Sequence, residues 1–472
     1  MTITIMVLIV LVLLSGLYMA WNIGANDVAN ALGTSVGSGA LSLRGAILIA
    51  AVLEFSGALF FGSHVSKTME QGIINAEFFQ DPMILAFGFL ASLIGAGVWL
   101  QIASYCGWPV STTHSICGAL VGFGLIQGGI DAIYWDNIFQ IASAWVISPL
   151  VGGVIAYLGF HFILRKILFV NHPLEAAKKI VPYLVGSLGV IFALVFSFDW
   201  LQHQGLDFFF SLAVCLFLGV IMGFGASFLL RRTHLGDSLV LEERQIDPQM
   251  LFDLKKAHEH LENAQQTAQG ELGYNIARVM EELESVAYAA KQVQCSHQQE
   301  SESKAVERIF GKVQWISACL MAFSHGANDV ANAIGPLVGA IGLLTTGALS
   351  TQYEIPYWAL ILGGSGIVLG LATWGWRVIE TIGKKLTELT PTRGFAAEFA
   401  AASTILIASR FGFPVSATHT LVGAVLGVGM ARGLESINLN MISSIVVSWI
   451  ITIPAGALFA ILSYHVIFFF FG

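Results

Sequence analysis

The chain is a succession of long apolar runs broken by short polar joints. Such runs leave few ways to fold, because about 20 consecutive apolar residues is what the hydrocarbon core of a bilayer requires of a helix. Within lipid, only helices and closed barrels satisfy every backbone N–H and C=O. Candidate spans begin near Thr2, Arg44, Pro82, Ser115, Ile138, Pro182, Phe208, Lys312, Pro356, Ala396, Thr418 and Met441, which predicts an all-α polytopic membrane protein of 12 spans. Only 11% of the residues are charged, where a soluble domain carries about 25%. The first run, Thr2 to Trp21, lacks a basic leader and a small-residue cleavage site, so it is expected to be a mature helix, not a signal peptide.

The charge that exists is concentrated. Between Arg231 and Gly311 lie 9 of the 22 basic and 14 of the 30 acidic residues. Apolar residues recur there at helical spacing, as in Met250, Leu251, Leu254, Leu261 and Ile276, Val279, Met280, Leu283, Val286. This divides the chain into a membrane region 1–230, a hydrophilic helical segment 231–311 and a second membrane region 312–472. Basic residues near helix ends stay on the cytoplasmic side. The clusters Arg165, Lys166, Lys178, Lys179, then Arg231, Arg232, then Arg377, Lys384, Lys385, Arg393 fall on joints of one parity. Placing them inside puts both termini outside and the 231–311 segment in the cytoplasm, with Lys67 and Arg410 as the two dissenters. The five cysteines, four of them in or beside apolar runs, suggest no disulfide framework.

An internal repeat adds the second constraint. Gly24-Ala25-Asn26-Asp27-Val28-Ala29-Asn30-Ala31 returns unchanged as Gly326 to Ala333. Downstream, Ile102-Ala103-Ser104 and Pro109-Val110-Ser111-Thr112-Thr113-His114-Ser115 return as Ile407-Ala408-Ser409 and Pro414-Val415-Ser416-Ala417-Thr418-His419-Thr420. Two motifs at nearly the same separation in both copies mean that whole halves are duplicated. Seven spans separate the copies, and an odd number inverts the second relative to the first, the inverted-repeat architecture of many transporters.

Asn26, Asp27 and Asn30, and their copies Asn328, Asp329 and Asn332, are costly groups in lipid and must face a cavity or a partner. The proline motifs read as re-entrant helix starts, with Pro109 and Pro414 in the first helical turn. A helix N-terminus buried at mid-membrane offers free N–H groups to an anion, and Ser111, Thr112, Thr113, Ser416 and Thr418 add hydroxyl donors. Asp27 and Asp329 then have two roles open to them: binding a coupling cation, or accepting the proton of a protonated oxyanion. His114 and His419 stand beside helix starts, where a lone histidine is more often a satisfied structural group than a ligand or proton relay. Glu54 and Glu398 are intramembrane carboxylates without an acidic counterpart in the other copy; laying Leu53 to Gly57 on Leu362 to Gly366 sets Glu54 opposite Gly363. That asymmetry suits ion coupling.

The four motif segments, Gly24 to Ala31, Gly326 to Ala333, Pro109 to Ser115 and Pro414 to Thr420, resemble the duplicated signature of the PiT family of inorganic phosphate transporters. The resemblance covers both membrane regions. It implies a cation-coupled symporter that imports phosphate by alternating access. The site it implies is Asn26, Asp27, Asn30, Ser111, Thr112, Thr113, Asn328, Asp329, Asn332, Ser416 and Thr418. Sodium, where it is the coupling ion, lies near Asn26, Asp27, Asn328 and Asp329, and Glu54 and Glu398 are transport-essential carboxylates. Family analogy also implies a homodimer. This chain departs from animal members in having no first-half acid at the position matching Glu398, which leaves the number and identity of coupled ions, Na+ or H+, open. Sulfate permeases share the architecture. A membrane-embedded enzyme is disfavoured, since no carboxylate in the Ser-Thr-Thr-His motif orients its imidazole, and no cofactor beyond the coupling ion is expected. A cell-surface receptor is disfavoured by the short external joints.

Overall fold

The computed structural model describes residues 3–203, 207–232, 248–349, 353–375, 390–433 and 439–472. Regular structure among them is helical: α1 (Ile3–Gly37), α2 (Leu43–Gln71), α3 (Pro82–Tyr105), α4 (Thr112–Gly128), α5 (Trp135–Ile163), α6 (Pro173–His203), α7 (Phe208–Arg232), α8 (Pro248–Gln265), α9 (Glu271–Asp329), α10 (Ala331–Thr346), α11 (Tyr357–Gly370), α12 (Pro391–Arg410), α13 (Ala417–Arg432) and α14 (Leu439–Phe471). Arg377, Lys384 and Lys385, used above for orientation, lie outside the described residues.

Among the described residues, nine helices are long and apolar enough to cross a bilayer. The three remaining predicted spans, near Ser115, Ala396 and Thr418, correspond to α4, α12 and α13, which fall short in length or hydropathy. These are arms of the two hairpins, α3–α4 and α12–α13, that carry the proline motifs. The prolines themselves are not in the first turn as predicted. Ser111 and Ser416 are the N-caps of α4 and α13, and each hydroxyl accepts from the backbone N–H of His114 or His419. Pro109 and Pro414 precede the caps in extended loops, where a serine oxygen can reach back to the third residue of the helix.

The chain separates into two compact units. One comprises Met1–Ile163, Val185–Met222 and Phe310–Gly472 and holds every motif residue. The other comprises Leu164–Leu184 and Gly223–Ile309 and contains α8 and the beginning of α9. Gly270 turns the chain between those helices at φ 66°, a left-handed conformation suited to glycine. His258 and Glu284 face each other at 3.7 Å across that hairpin.

In the first unit the two halves exchange helices. α4, at the first proline motif, packs on α14 of the second half, while α13, at the second motif, packs on α5 of the first. Likewise α1 packs on α11, and the end of α9 packs on α2. Glycines make these crossings possible. A Cβ on Gly24 would run into the Ile367 carbonyl, and one on Gly326 into the Glu54 carbonyl. Gly370 meets the backbone at Trp21 and Ala25 as Gly57 meets it at Phe323 and Ala327. These matched contacts make Ile367, not Gly363, the counterpart of Glu54, a correction of one helical turn to the register expected from sequence. Short identical stretches of small and apolar residues fit in several registers, whereas backbone contact permits one.

Candidate functional site

The two copies of the octapeptide meet the opposite proline motifs. Asn30 on α1 donates from Nδ2 to Asp27 Oδ1 at 2.9 Å and to Thr418 Oγ1 at 2.7 Å. The Thr418 hydroxyl lies 3.4 Å from both Asp27 Oδ1 and the Val110 carbonyl. The second copy repeats the pattern. Asn332 Nδ2 faces Asp329 Oδ1 at 3.3 Å, Thr113 Oγ1 at 3.2 Å and Thr112 Oγ1 at 3.3 Å, and Thr113 donates to the Val415 carbonyl at 3.2 Å. Each half-site is therefore completed by the other half of the chain. All of these side chains are at most 2% exposed, so the site is occluded.

Asn26 and Asn328 hold the octapeptides to the hairpins of their own halves. Asn26 Nδ2 donates to Ser104 Oγ at 2.9 Å and to the Trp108 carbonyl at 3.4 Å. Asn328 Nδ2 donates to Val415 O at 2.7 Å and to Asp329 Oδ1 at 2.8 Å, while its Oδ1 accepts from Ser409 Oγ at 3.3 Å. Ser104 and Ser409 occupy the same place in the two Ile-Ala-Ser repeats, a signal present in the sequence as a third duplicated segment. The hydroxyls of Ser111 and Ser416 accept the cap bonds described above, which leaves each its own hydrogen to donate. Asn26 Oδ1 and Asn332 Oδ1 are buried without a hydrogen-bond partner. Such orphaned oxygens are hard donors of the kind an alkali cation takes.

The helix breaks at this point in the second copy only: α9 ends at Asp329 and α10 begins at Ala331, whereas α1 runs through Asn26 and Asn30 unbroken. A second asymmetry is chemical. His325, which precedes the second octapeptide, stands between two carboxylates, with Nδ1 3.0 Å from Glu54 Oε1 and Nε2 2.9 Å from Asp329 Oδ2. The first approach is a hydrogen bond; the second is an ion-pair distance without hydrogen-bond alignment. Ligand atoms of Asp27, His325 and Asp329 all lie within 4.8 Å of one another, so Glu54 reaches the Asp pair through the imidazole. At the equivalent positions the first half has Ile23 and, opposite it, Ile367, both in the apolar core. Sequence reasoning missed His325, although a histidine next to one copy of a duplicated octapeptide and an isoleucine next to the other was a visible difference.

Glu398 belongs to a separate polar pocket. Its Oε1 accepts from Thr34, Ser35 and Gln314, the last at 3.2 Å, and its Oε2 accepts from Ser317 at 2.6 Å. Three of the four donors converge on Oε1 and one reaches Oε2, so Oε2 keeps acceptor capacity to spare. Thr34 lies seven residues beyond Asp27 on α1, about 10 Å along the helix. The repeat offsets match Glu398, Gln314 and Ser35 to Leu93, Val12 and Leu337, again members of the apolar core. Both polar asymmetries thus replace apolar packing in the opposite half.

His114 and His419 are not among these contacts. Their rings meet edge to face at 4.3 Å between centroids, His114 beside Trp145 at 4.0 Å and His419 beside Trp449 at 3.5 Å. Trp145 Nε1 donates to the Pro414 carbonyl at 3.1 Å, tying this aromatic cluster to the second proline motif.

Known proteins resemble this chain in both sequence and fold. A solved structure described as the sodium-dependent phosphate transporter superposes with a TM-score of 0.79 at 34% sequence identity, covering 98% of this chain and 99% of that one. The chain is 46% identical over 458 residues to inorganic phosphate transporter 2-1, chloroplastic, of Arabidopsis thaliana, covering 95% of this chain and 70% of that protein. The profile of the phosphate transporter family matches residues 23–460. With its duplicated motifs joined across a multi-pass helical membrane fold, the chain belongs to the phosphate transporter family.

Proposed function

We propose that this protein is a secondary active symporter that imports inorganic phosphate across the cell membrane by alternating access, driven by Na+. The observation that carries the reading is the reciprocal bonding of the motif copies, Asn30 to Thr418 at 2.7 Å and Asn332 to Thr113 at 3.2 Å. Donors from both halves converge there beside two carboxylates. Asn30, Asn332, Thr112, Thr113 and Thr418 give donors for phosphate oxygens, with Ser111 and Ser416 at the helix starts. Asp27 and Asp329 accept the proton of hydrogen phosphate or share a cation. Fully ionised sulfate has no such proton, and this is the basis for preferring phosphate. The orphaned oxygens of Asn26 and Asn332, with the Asp27 and Asp329 carboxylates, suit Na+ as a transported co-substrate. Glu54, through His325, and Glu398, among Thr34, Ser35, Gln314 and Ser317, couple ion binding to the conformational change.

The bonds that link the hairpin loops, Thr113 to the Val415 carbonyl and Thr418 to the Val110 carbonyl, close the site. Opening either loop breaks them, and opening them in turn gives alternating access. The positive-inside pattern places both termini outside and the 231–311 segment, between membrane regions 1–230 and 312–472, in the cytoplasm. Asp27→Asn and Asp329→Asn test the site, because each keeps shape while removing charge. Both should abolish sodium-driven phosphate uptake in reconstituted vesicles with normal yield of folded protein. Normal transport by both variants would refute the site.

A further inference from the structure

Lys67 and Arg410 are the two basic residues that break the positive-inside pattern, and the structure brings them to one place. α2 runs alongside the end of α9 and α10, with Glu54 at Gly326, Gly62 at Val330 and Ser66 at Gly335. The tip of the α12–α13 hairpin lies further along α2: Thr68 Oγ1 donates to the Gly412 carbonyl at 2.8 Å, and Arg410 Nη1 lies 3.3 Å from His64 Nε2. Gly412 adopts φ 74°, which lets the loop turn back toward the site. Counted along α2 from Gly62, which packs on Val330, Thr68 lies about 9 Å beyond Asp329. His64 and Lys67 are exposed and Arg410 is half-buried. Charged groups are not left facing hydrocarbon, so this edge of the tip faces water or lipid headgroups. Glu70, the acid on the next turn of α2, is buried beneath it.

The same tip carries site residues. Ser409, adjacent to Arg410, bonds Asn328, and Val415, three residues past Gly412, gives its carbonyl to Asn328 and Thr113. We propose that His64, Lys67 and Arg410 form an entry site that recruits the phosphate oxyanion to the mouth closed by the α12–α13 tip, before the tip opens. The proposal rests on phosphate being the cargo. A doubly charged anion at about 10 Å from one positive charge in water gains about a fourfold enrichment at low ionic strength. At about 0.15 M salt, where the screening length is about 8 Å, this falls to about 1.5-fold. Rim charges act in this way on encounter and not on the later step.

The experiment is initial-rate uptake of labelled phosphate into proteoliposomes at fixed low Na+, with ionic strength set by choline chloride. Wild type, Lys67→Gln, Arg410→Gln, Arg410→Lys and Lys67→Glu are compared. The expected result is a KM for phosphate raised about threefold to fourfold by each Gln substitution at low ionic strength, and more by Lys67→Glu, with Vmax within twofold. The difference from wild type should shrink to less than twofold at physiological salt, and Arg410→Lys should keep the wild-type KM. Equal KM values and equal salt dependence across the series would overturn the entry site. So would a loss of Vmax shared by Arg410→Gln and Arg410→Lys, which would make Arg410 a structural tie. Loss of co-purifying anionic phospholipid from the Gln variants with KM unchanged would also overturn it, since the oxyanion held there would be a lipid headgroup. If wild type took up no phosphate, the function itself would fail, a result distinct from all of these.

Discussion

Replacing Glu54 and His325 by isoleucine, singly and together, tests whether the buried pair serves coupling and not packing. Both side chains are fully buried and meet at 3.0 Å. Removing one member of such a pair leaves the other without its partner in a dry interior, at a cost of about 3 to 5 kcal/mol. Exchanging both for well-packed apolar residues is often neutral, and the opposite half already shows the apolar version in Ile23 and Ile367. Glu54→Ile or His325→Ile alone should therefore lower the apparent melting temperature in detergent by about 6 to 10 °C, taking about 2 °C per kcal/mol. The double variant should recover at least half of the loss. Full recovery is not expected, because Asp329 Oδ2 loses its neighbour at 2.9 Å. Fluorescence-detected size-exclusion after heating reads the stability, and sodium-driven phosphate uptake reads the function, which should stay absent in all three. A double variant no more stable than the weaker single variant would refute the pairing argument. Restored transport in it would refute the coupling role.

Glu398→Gln keeps shape but puts a donor amide among four hydroxyl and amide donors, so it should lose sodium dependence of uptake while folding; unchanged ion dependence would make Glu398 structural. Gly326→Ala pushes a methyl into the Glu54 carbonyl and should destabilise by about 1 to 3 kcal/mol. Gly159→Ala, in open space on α5, should be neutral or stabilising by up to about 1 kcal/mol, and equal thermal shifts for the two would contradict the close crossing of α2 and α9. Ser416→Ala removes the cap of α13 and should cost about 1 kcal/mol in thermal stability; no shift would show that the cap bond is dispensable.

Much of this arrangement was legible in the amino-acid sequence, for a physical reason. Lipid forces helices, so apolar runs translate directly into elements, and an exact eight-residue duplication marks two copies of one structural unit. Asn30 meeting Thr418 follows from inverted halves that must share one site. What could not be read was register and partnership. The counterpart of Glu54 depends on which glycine a neighbouring backbone crosses, and nothing in Leu53 to Gly57 selects Ile367 over Gly363. The separation of Glu398 from the aspartates depends on Gln314 and Ser317, residues from a distant part of the chain with no motif around them. Pro109 and Pro414 misled because proline suits a first helical turn equally well, while serine two residues on had the better cap.

The central claim is coupled phosphate transport through the paired half-sites, and the most direct test is uptake of labelled phosphate into proteoliposomes of the purified protein. An inward Na+ gradient, an inward H+ gradient and no gradient are compared, each with excess unlabelled sulfate. The account predicts concentrative uptake under the Na+ gradient, resistant to sulfate and lost in Asp27→Asn and Asp329→Asn. Uptake of labelled sulfate with no entry of phosphate under any gradient would contradict it.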